Sequence, residues 1–207
     1  MQAAKPPLLA FQSIAKGLTM TMHSREPLPW QQLDSRVIFD HPRLCLVEDT
    51  VVLPSGKQTE WLRFQDRQDF VLVICVDPAQ RILLSRQYCH PVGRVVHEFP
   101  GGLVDAGESH VEAARRELME EVGWYAHQLD AIATFLPNVR RSSVRAHVYV
   151  ATELEERHLP SDSEEFIAYE WVEVATLETR MRSGELDNGH LHAAWNLFRL
   201  HAGQYLA

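Results

Sequence analysis

Hydrophobic residues between positions 44 and 172 fall into short runs whose length and spacing predict β-strands. In the segment 144–152, every second residue from Val144 to Val150 is valine or alanine, which is typical of a strand with one buried face. Similar runs predict strands at 44–47, 50–53, 59–64, 71–76, 81–85, 95–99, 131–136 and 166–172. Turn residues such as those at 54–57 and 77–80 separate neighbouring runs, so we expect hairpins.

The segment that follows Ser109 has the periodicity of an amphipathic helix instead. Ser109 is a favourable N-cap, and Glu112 lies three residues later, which is the spacing of a capping box. Gly123 supplies the stop, because glycine adopts the left-handed conformation found just past helix ends. The apolar positions between the two ends share one face, and these are Val111, Ala114, Leu118 and Val122. We therefore expect a helix that begins near His110 and packs on a core.

These patterns divide the chain into three parts. Residues 1–30 lack periodicity and hold four prolines, so we expect a loose tail. Residues 31–68 form a small antiparallel β subdomain, which must pack on the main domain or on a second subunit because such a sheet is not stable alone. Residues 69–207 form the main domain, which ends in a second helix capped by Asp187 or Asn188. The apolar face of that helix contains Leu191, Ala194, Trp195 and Phe198.

A glycine, several glutamates and an arginine recur at fixed spacing around the first helix. Five residues separate Gly102 from Glu108, and seven separate Glu108 from Arg116. Three carboxylates then follow on one flank of the helix, from Glu117, Glu120 and Glu121. Like charges at these spacings repel by a few tenths of a kcal/mol per pair, so the cluster is unfavourable unless a cation lies beside it. Mg²⁺ and Mn²⁺ prefer such oxygen ligands, and Mg²⁺ is commonly shared with substrate phosphates.

An acidic run on a helix is more often only a solvated face, but the complete spacing favours the metal site. The spacing is similar to the signature of the Nudix hydrolases, which cleave a diphosphate linking a nucleoside to another group X. The resemblance implies an α+β fold, an α/β/α sandwich with a mixed sheet between helices. The implied metal ligands are Glu117, Glu120, Glu121 and the backbone carbonyl of Gly101. The residues with implied structural roles are Gly102, Gly123 and the pair formed by Glu108 and Arg116, although Glu112 and Glu120 are also within reach of Arg116.

Motifs outside this signature are similar to the ADP-ribose and nucleotide-sugar branch of the family. They are Leu53-Pro54-Ser55-Gly56, Arg86-Gln87-Tyr88, Glu98-Phe99-Pro100-Gly101-Gly102 and Gly184-Glu185-Leu186-Asp187. In that branch the N-terminal extension forms a homodimer, and loop glutamates before the last strand bind metal or activate water. The resemblance implies that Glu164 or Glu165 is the general base, with Glu120 as the second candidate, and that Glu165 is a further metal ligand.

The substrate-binding residues are less firmly indicated by the sequence. The branch usually has an arginine after Gln-Tyr, but here Cys89 occupies that position. A diphosphate needs a cation or a fork of donors, so Arg86, Arg140 or Arg141 is expected to supply the charge. Each of these arginines, taken alone, is typical of an ordinary surface residue. Glu98, just before the glycine pair, is included among the expected substrate contacts.

Composition limits the kinds of partner. The formal net charge of −8 disfavours broad binding to nucleic acid or to membrane surfaces. Apolar runs such as 71–76 are far shorter than a membrane span. Three widely spaced cysteines form no disulfide framework and fit a reducing cytoplasm. The eleven histidines show no zinc-binding spacing, and we interpret them, His97 and His147 included, as structural or surface residues.

The resemblance makes ADP-ribose the expected small-molecule substrate, with AMP and ribose 5-phosphate as products and Mg²⁺ or Mn²⁺ as the cofactor. Two alternatives remain at this point. One is another nucleoside diphosphate compound, such as a GDP-sugar or a dinucleoside polyphosphate. The other is a sensor that binds ADP-ribose without cleaving it. Such sensors commonly lose signature glutamates and gain a DNA-binding helix pair, and this sequence does neither.

Overall fold

The computed structural model describes residues 27–65, 68–160 and 166–206. Within these ranges the strands are β1 (Gln31–His41), β2 (Leu44–Val52), β3 (Gln58–Phe64), β4 (Phe70–Cys75), β5 (Arg81–Cys89), β6 (Arg94–Glu98), β7 (Trp124–Phe135), β8 (Ala146–Glu156) and β9 (Ala168–Glu173). The helices are α1 (His110–Glu117), α2 (Val174–Arg182) and α3 (Gly189–Arg199), and α1 continues into a wider π turn over Leu118–Val122. None of these helices is long and apolar enough to cross a membrane.

The first three strands form a separate antiparallel sheet in the order β1-β2-β3. The runs predicted at 44–47 and 50–53 are one continuous strand, β2, in which alternate residues are buried. Glu48 and Asp49 interrupt the hydrophobic pattern between those runs, yet Asp49 lies on the buried face. Its carboxylate accepts hydrogen bonds from Ser35 of β1 and Arg63 of β3, and a buried charge is tolerated when it is paired in this way.

Strand β1 is not among the predicted strands, because its sequence lacks the alternation of apolar and polar residues that would indicate a strand. All of its residues are exposed in the single chain, including Leu33, Val37, Ile38 and Phe39, which are 41–54% exposed. Among the residues that the structure describes, β1 pairs only with β2, and its other edge is open. An apolar strand that is uncovered on both faces and open at one edge is characteristic of an interaction surface.

The main domain has two three-stranded sheets in the orders β4-β8-β7 and β6-β5-β9. β4 runs parallel to β8, whereas the other pairs are antiparallel. Side chains of β4 face both ways: Leu72 belongs to a core cluster with Leu177 of α2 and Phe198 of α3, and Val73 belongs to a second cluster with Leu118 beside α1. The strands therefore lie between helical layers, which confirms the α/β/α arrangement.

Strands β5, β7 and β8 extend several residues beyond their predicted ends, β8 as far as Glu156, and helix α2 lies outside the predictions. β5 continues to Cys89, and β7 begins at Trp124, directly after Gly123. α2 has a short apolar stripe, in which Leu177 is buried and Val174 and Met181 are partly buried, but its nine residues lie outside the predicted helices. α3 is as expected: the Asn188 side chain accepts a hydrogen bond from the backbone N–H of His190 at 2.9 Å, and the four predicted apolar residues are buried.

Candidate metal and diphosphate site

The acidic helix begins with the predicted capping box. The Ser109 hydroxyl accepts a hydrogen bond from the Glu112 backbone N–H, and the Glu112 carboxylate accepts one from the Ser109 backbone N–H at 2.9 Å. Ala114 and Leu118 are fully buried against β4 and β8 residues, while Val111 is partly buried beside the same cluster. The helix is therefore fixed at its first turn and along its apolar face, so its carboxylates have a defined position.

The end of this helix is wider than the sequence predicts. The backbone N–H of Gly123 donates to the carbonyl of Leu118, five residues earlier, and Gly123 has the left-handed φ of 71°. The stop at Gly123 is thus as expected, but Leu118–Val122 forms a π turn instead of an α turn. π turns occur frequently at functional sites. This turn contains Glu120 and Glu121, and therefore sets their directions relative to Glu117.

Arg116 connects the loop before the helix with the carboxylates that follow. Its guanidinium donates to both carboxylate oxygens of Glu108, at 2.9 and 3.0 Å, and to the Leu103 carbonyl at 2.9 Å. Its Nη1 also donates to Glu117 at 2.8 Å and to Glu120 at 3.0 Å. Hydrogen bonds from Arg116 lower the pKa of Glu108, and those to Glu108 raise the pKa of Arg116. The expected Glu108–Arg116 pair is present, and Arg116 positions Glu117 and Glu120 as well.

The glycine pair approaches the remaining carboxylates closely. The Gly101 backbone N–H donates to the Glu121 carboxylate at 3.0 Å. A Cβ atom at Gly102 would overlap the carboxylate of Glu117, and one at Gly101 would overlap the carbonyl oxygen of Val71 on β4. Gly101 therefore has no room for a side chain beside β4, and a side chain at Gly102 would displace the Glu117 carboxylate. The structure brings Gly101, Glu117 and Glu121 together as expected.

This group of atoms fits a hard divalent cation. The carboxylates of Glu108, Glu117 and Glu120 share the Arg116 guanidinium, and the Glu121 carboxylate accepts from the Gly101 backbone N–H, so these four carboxylates carry more negative charge than Arg116 neutralises. Carboxylate and carbonyl oxygens are the donors that Mg²⁺ and Mn²⁺ take. Glu117, Glu120, Glu121 and the Gly101 carbonyl are the residues that could hold such an ion.

Comparison with known proteins agrees with this geometry. Residues 66–192, more than half of the chain, match the family model described as NUDIX domain. The chain belongs to the Nudix family. The matched residues include the glycine pair and the four carboxylates described above.

Named relatives of this Nudix protein act on ADP compounds. It is 32% identical over 149 residues to an ADP-ribose pyrophosphatase of Bacillus subtilis, covering 70% of this chain and 77% of that protein. It is 31% identical over 174 residues to an ADP-ribose pyrophosphatase of Mycobacterium tuberculosis, covering 82% and 80%. A crystal structure of an ADP compounds hydrolase matches with a TM-score of 0.80 at 22% identity, over 87% of this chain and 98% of that chain, which shows the same fold.

Two of the expected substrate-binding residues lie on the β5–β6 hairpin of the Nudix domain. Arg86 is exposed and is paired with His97 in the strand register. Glu98 is partly buried at the end of β6; burial raises its pKa, and a hydrogen bond with Asn188 offsets only part of the effect. Glu98 also lies three residues before Gly101. Glu98 is therefore closer in sequence than Arg86 to the glycine pair of the candidate metal site.

The other two expected arginines lie on the turn between β7 and β8. Arg140 is exposed. Arg141 donates to the Leu62 carbonyl at 3.3 Å, lies 4.9 Å from the centroid of the Trp61 ring, and accepts a backbone hydrogen bond from Phe64. These contacts join the N-terminal sheet to the Nudix domain. A role for either arginine in substrate binding stays a prediction, as do the roles of Glu164 and Glu165, which lie outside the described residues.

A charged cluster beside Arg86 lies outside the sequence prediction. Arg180 of α2 donates to Glu170 at 2.8 Å and to Glu185 at 2.7 Å, and its Nη2 is 2.9 Å from Nε2 of His97. Burial, together with the charge of Arg180, lowers the pKa of His97. The motif from Gly184 to Asp187 marks this region in the sequence. Arg180 itself gives no separate signal, because a single arginine on a short helix is typical of a surface residue.

The strand position opposite Cys89 is occupied by Arg94. Two oxygens of Asp187 accept hydrogen bonds from Nη2 of Arg94, at 2.6 and 2.5 Å. An arginine is thus present beside the position where the branch usually has one, but it comes from the next strand and carries its own carboxylate partner. This pair lies outside the sequence prediction because its members are far apart in the chain.

Proposed function

We propose that this Nudix protein hydrolyses the diphosphate of a nucleoside diphosphate linked to X, with ADP-ribose as the substrate. Water would be added across the diphosphate to give AMP and ribose 5-phosphate. The relatives named ADP-ribose pyrophosphatase support this substrate, and so do the branch motifs at 53–56 and 98–102. The small-molecule partner is therefore a nucleotide sugar.

The observation that carries the proposal is the contact between the glycine pair and two carboxylates. Gly101 donates to Glu121, and Gly102 leaves no room for a side chain beside Glu117. Strand β4 holds this loop in place, because the backbone N–H of Val71 donates to the Gly102 carbonyl at 2.9 Å. Oxygen atoms from a rigid loop and a rigid helix are therefore already close together before substrate binds, which is the preorganisation that catalysis requires.

Glu117, Glu120, Glu121 and the Gly101 carbonyl would hold Mg²⁺, with Mn²⁺ as a substitute, and Glu165 is a further candidate ligand. A bound ion of this kind polarises a P–O bond and lowers the pKa of water. Arg116 keeps Glu117 and Glu120 in place through its hydrogen bonds. A glutamate must accept the proton of the attacking water, and Glu164 or Glu165 is the proposed base, with Glu120 as the second candidate.

A homodimer would cover the exposed N-terminal strand. Strand β1 is exposed along its whole length and carries four large apolar side chains. A second copy of the chain could bury this surface and bring its own N-terminal sheet close to the neighbouring active site. The free state of Cys45, Cys75 and Cys89 supports a reducing cytoplasm as the location.

A panel of nucleoside diphosphate compounds tests the proposal. The purified protein is incubated with ADP-ribose, GDP-mannose or diadenosine polyphosphates in the presence of Mg²⁺ or Mn²⁺, and the products are identified. We expect AMP and ribose 5-phosphate from ADP-ribose at the highest kcat/KM. If only another compound is cleaved rapidly, that compound and not ADP-ribose is the substrate. If ADP-ribose binds tightly but is not cleaved with either metal, the protein is a sensor of ADP-ribose.

A matched pair of variants tests the metal ligands in the same assay. Glu121→Gln should lower kcat about 100-fold or more, because it would weaken binding of the ion, and a group that stabilises developing charge is typically worth about 10²–10³ in rate. The control is Glu173→Gln, an exposed glutamate at the far end of β9, which should retain the wild-type rate. If the folded Glu121→Gln variant has near-normal turnover, Glu121 is not a metal ligand.

A further inference from the structure

Three side chains that can bind a metal meet at the end of α1 remote from the carboxylate site. Asp69 lies just before β4, His110 is the first residue of α1, and His147 is in β8. Nε2 of His147 is 3.0 Å from Oδ2 of Asp69. The rings of His110 and His147 are stacked, with centroids 3.7 Å apart and planes inclined by 23°. One potential ligand atom from each residue lies within 4.8 Å of the others.

The backbone fixes all three residues before any metal binds. The parallel register pairs Phe70 with Ala146. Asp69, just before β4, and His147, the second residue of β8, therefore lie at the same end of two neighbouring strands. Asp69 is held further by its own contacts: its Oδ1 accepts from the Arg145 backbone N–H at 2.9 Å, and its carbonyl accepts from Val104 at 3.0 Å. His110 is placed by the capped first turn of α1. The arrangement is therefore a property of the fold rather than of flexible surface side chains.

An open cleft of about 410 Å³ adjoins the cluster and is lined by Asp69, His110 and other residues of both flanking loops. The cleft leaves room for water or another ligand beside the three protein atoms.

We propose that Asp69, His110 and His147 form a second metal site, selective for Zn²⁺ over Mg²⁺. Two imidazole nitrogens and one carboxylate oxygen are a ligand set that zinc takes, with a fourth position left for water. Imidazole also suits zinc, whereas Mg²⁺ prefers oxygen alone. The site is separate from the signature carboxylates, because seven residues of helix place His110 roughly 10 Å along the axis from Glu117, with Glu121 further on.

Zinc at this position would add a link between α1 and the hydrogen-bonded pair of strands β4 and β8. It would join the N-terminus of α1 to the starts of β4 and β8, and so fix the loop at 102–109 at its far end. A ligand that binds only the folded state raises stability. The proposal does not depend on the substrate of the enzyme, because it concerns metal binding without any nucleotide.

Zinc titration by calorimetry tests the site. The full chain is first dialysed against a chelator and then titrated with Zn²⁺ in a large excess of Mg²⁺, which occupies the signature carboxylates. We expect one Zn²⁺ per chain. Zinc at about a hundredfold excess over its Kd should raise Tm by about 5–10 °C. Replacement of Zn²⁺ by Co²⁺ should give visible absorption bands from the bound ion.

Matched variants identify the ligands. His110→Phe keeps a ring to stack on His147 but removes the nitrogen, and His147→Ala removes the second imidazole. Each should weaken zinc binding about 100-fold or more, beyond the 10–100-fold typical of losing an outer partner of a ligand. His127→Ala is the control, because His127 also pairs with a carboxylate, Glu155, at 2.7 Å but on an exposed surface. It should bind zinc like the wild type.

Glu121→Gln separates this site from the signature carboxylates, since it should lose hydrolysis and keep zinc binding. Circular dichroism shows whether each variant is folded. The proposal is overturned by an absence of zinc binding in the wild type. It is equally overturned if folded His110→Phe and His147→Ala both bind zinc with wild-type affinity, or if Glu121→Gln abolishes the binding.

Discussion

Arg116 donates hydrogen bonds to both carboxylate oxygens of Glu108, at 2.9 and 3.0 Å. Their side chains are only 24% and 15% exposed, so the pair is screened weakly by solvent. The same guanidinium also reaches the Leu103 carbonyl and two carboxylates of the proposed metal site. Arg116 is therefore a positioning residue as well as a structural one, because it fixes the loop and the ligands at once.

Arg116→Lys tests this combined role. Lysine keeps the charge but cannot contact both oxygens of Glu108 and the other partners in a fixed fork. We expect kcat/KM to fall about 10–100-fold, the usual effect of losing an outer partner of a metal ligand. We also expect Tm to fall by about 2–8 °C, which corresponds to about 1–2 kcal/mol in a chain of this length.

Arg115→Lys is the control for this variant. Arg115 is the neighbouring residue on α1, and it donates to the Ala126 carbonyl at 3.3 Å instead of to the carboxylate group. It should keep most of the wild-type kcat/KM. Equal losses of activity in the two variants would show that Arg116 has no special role in positioning the carboxylates.

Gly102→Ala should reduce activity more than stability. The added Cβ would overlap the Glu117 carboxylate, whose side chain can turn away at little cost in packing. A displacement of about 1 Å in a catalytic arrangement can lower the rate about 100-fold, and we expect kcat to fall by that factor. Gly203→Ala meets no atom within 4 Å and should have wild-type kcat and Tm. Full activity of Gly102→Ala would contradict the close approach.

Asp49 should make the N-terminal sheet sensitive to acid. Hydrogen bonds from Arg63 lower the pKa of Asp49 more than burial raises it, with a further hydrogen bond from Ser35. The pKa is thus lower in the folded chain than in the unfolded chain. The contribution to stability is present above the unfolded pKa of about 3.9 and is lost as pH falls through the folded pKa.

Asp49→Asn should therefore lower the free energy of unfolding by about 1–3 kcal/mol at pH 7. This is less than the full cost of breaking a buried ion pair, because Arg63 is partly exposed to solvent. The difference from the wild type should shrink as the pH falls below 4. Urea unfolding at several pH values measures both effects. The exposed Asp34→Asn serves as the comparison, and a difference that stayed constant with pH would exclude Asp49 as the cause.

Phe39→Glu should disrupt the proposed dimer. A charge in the middle of the apolar surface of β1 would have to be buried against a second copy, which is costly. We expect light scattering to show a dimer for the wild type and a monomer for Phe39→Glu, with lower activity if the partner completes the active site. Leu200→Glu is the control. It makes a similar change just after α3, at a side chain that is 79% exposed, and this variant should remain dimeric. A monomeric wild type would refute the dimer itself.

The general base can be found by comparing Glu120→Gln, Glu164→Gln and Glu165→Gln. Loss of a positioned base typically costs about 10²–10⁴ in rate. One of the loop variants should show this loss and also lose the acidic limb of its pH–kcat profile, because that limb reports protonation of the base. The other variants should keep the limb even where metal binding is weakened. If all three variants retain the acidic limb, the general base is a different residue.

The sequence predicted best where local chemistry decides the structure. The Ser109–Glu112 capping box, the stop at Gly123 and the Glu108–Arg116 pair depend on residues close in the chain, and each is found in the structure. Fold class followed from strand runs and from the resemblance carried by the signature. These features need no knowledge of distant contacts.

Contacts between distant segments could not be read in the same way. β2 appeared as two runs because the charge of Asp49 is compensated by Arg63 from another strand. Asp69, His110 and His147 show no ligand spacing, since their proximity depends on the parallel pairing of β4 with β8. Arg94 and Asp187 meet only when α3 packs beside the β5–β6 hairpin.

The π turn at Leu118–Val122 makes the length of this segment part of its chemistry. The Gly123 N–H reaches back five residues to Leu118, so the turn holds one residue more than an α turn. Deleting Met119 would give an ordinary α turn and leave Gly123 and the start of β7 close to their present positions. The change would fall on the carboxylates instead, because Glu120 and Glu121 would each move by about 100° around the helix axis relative to Glu117.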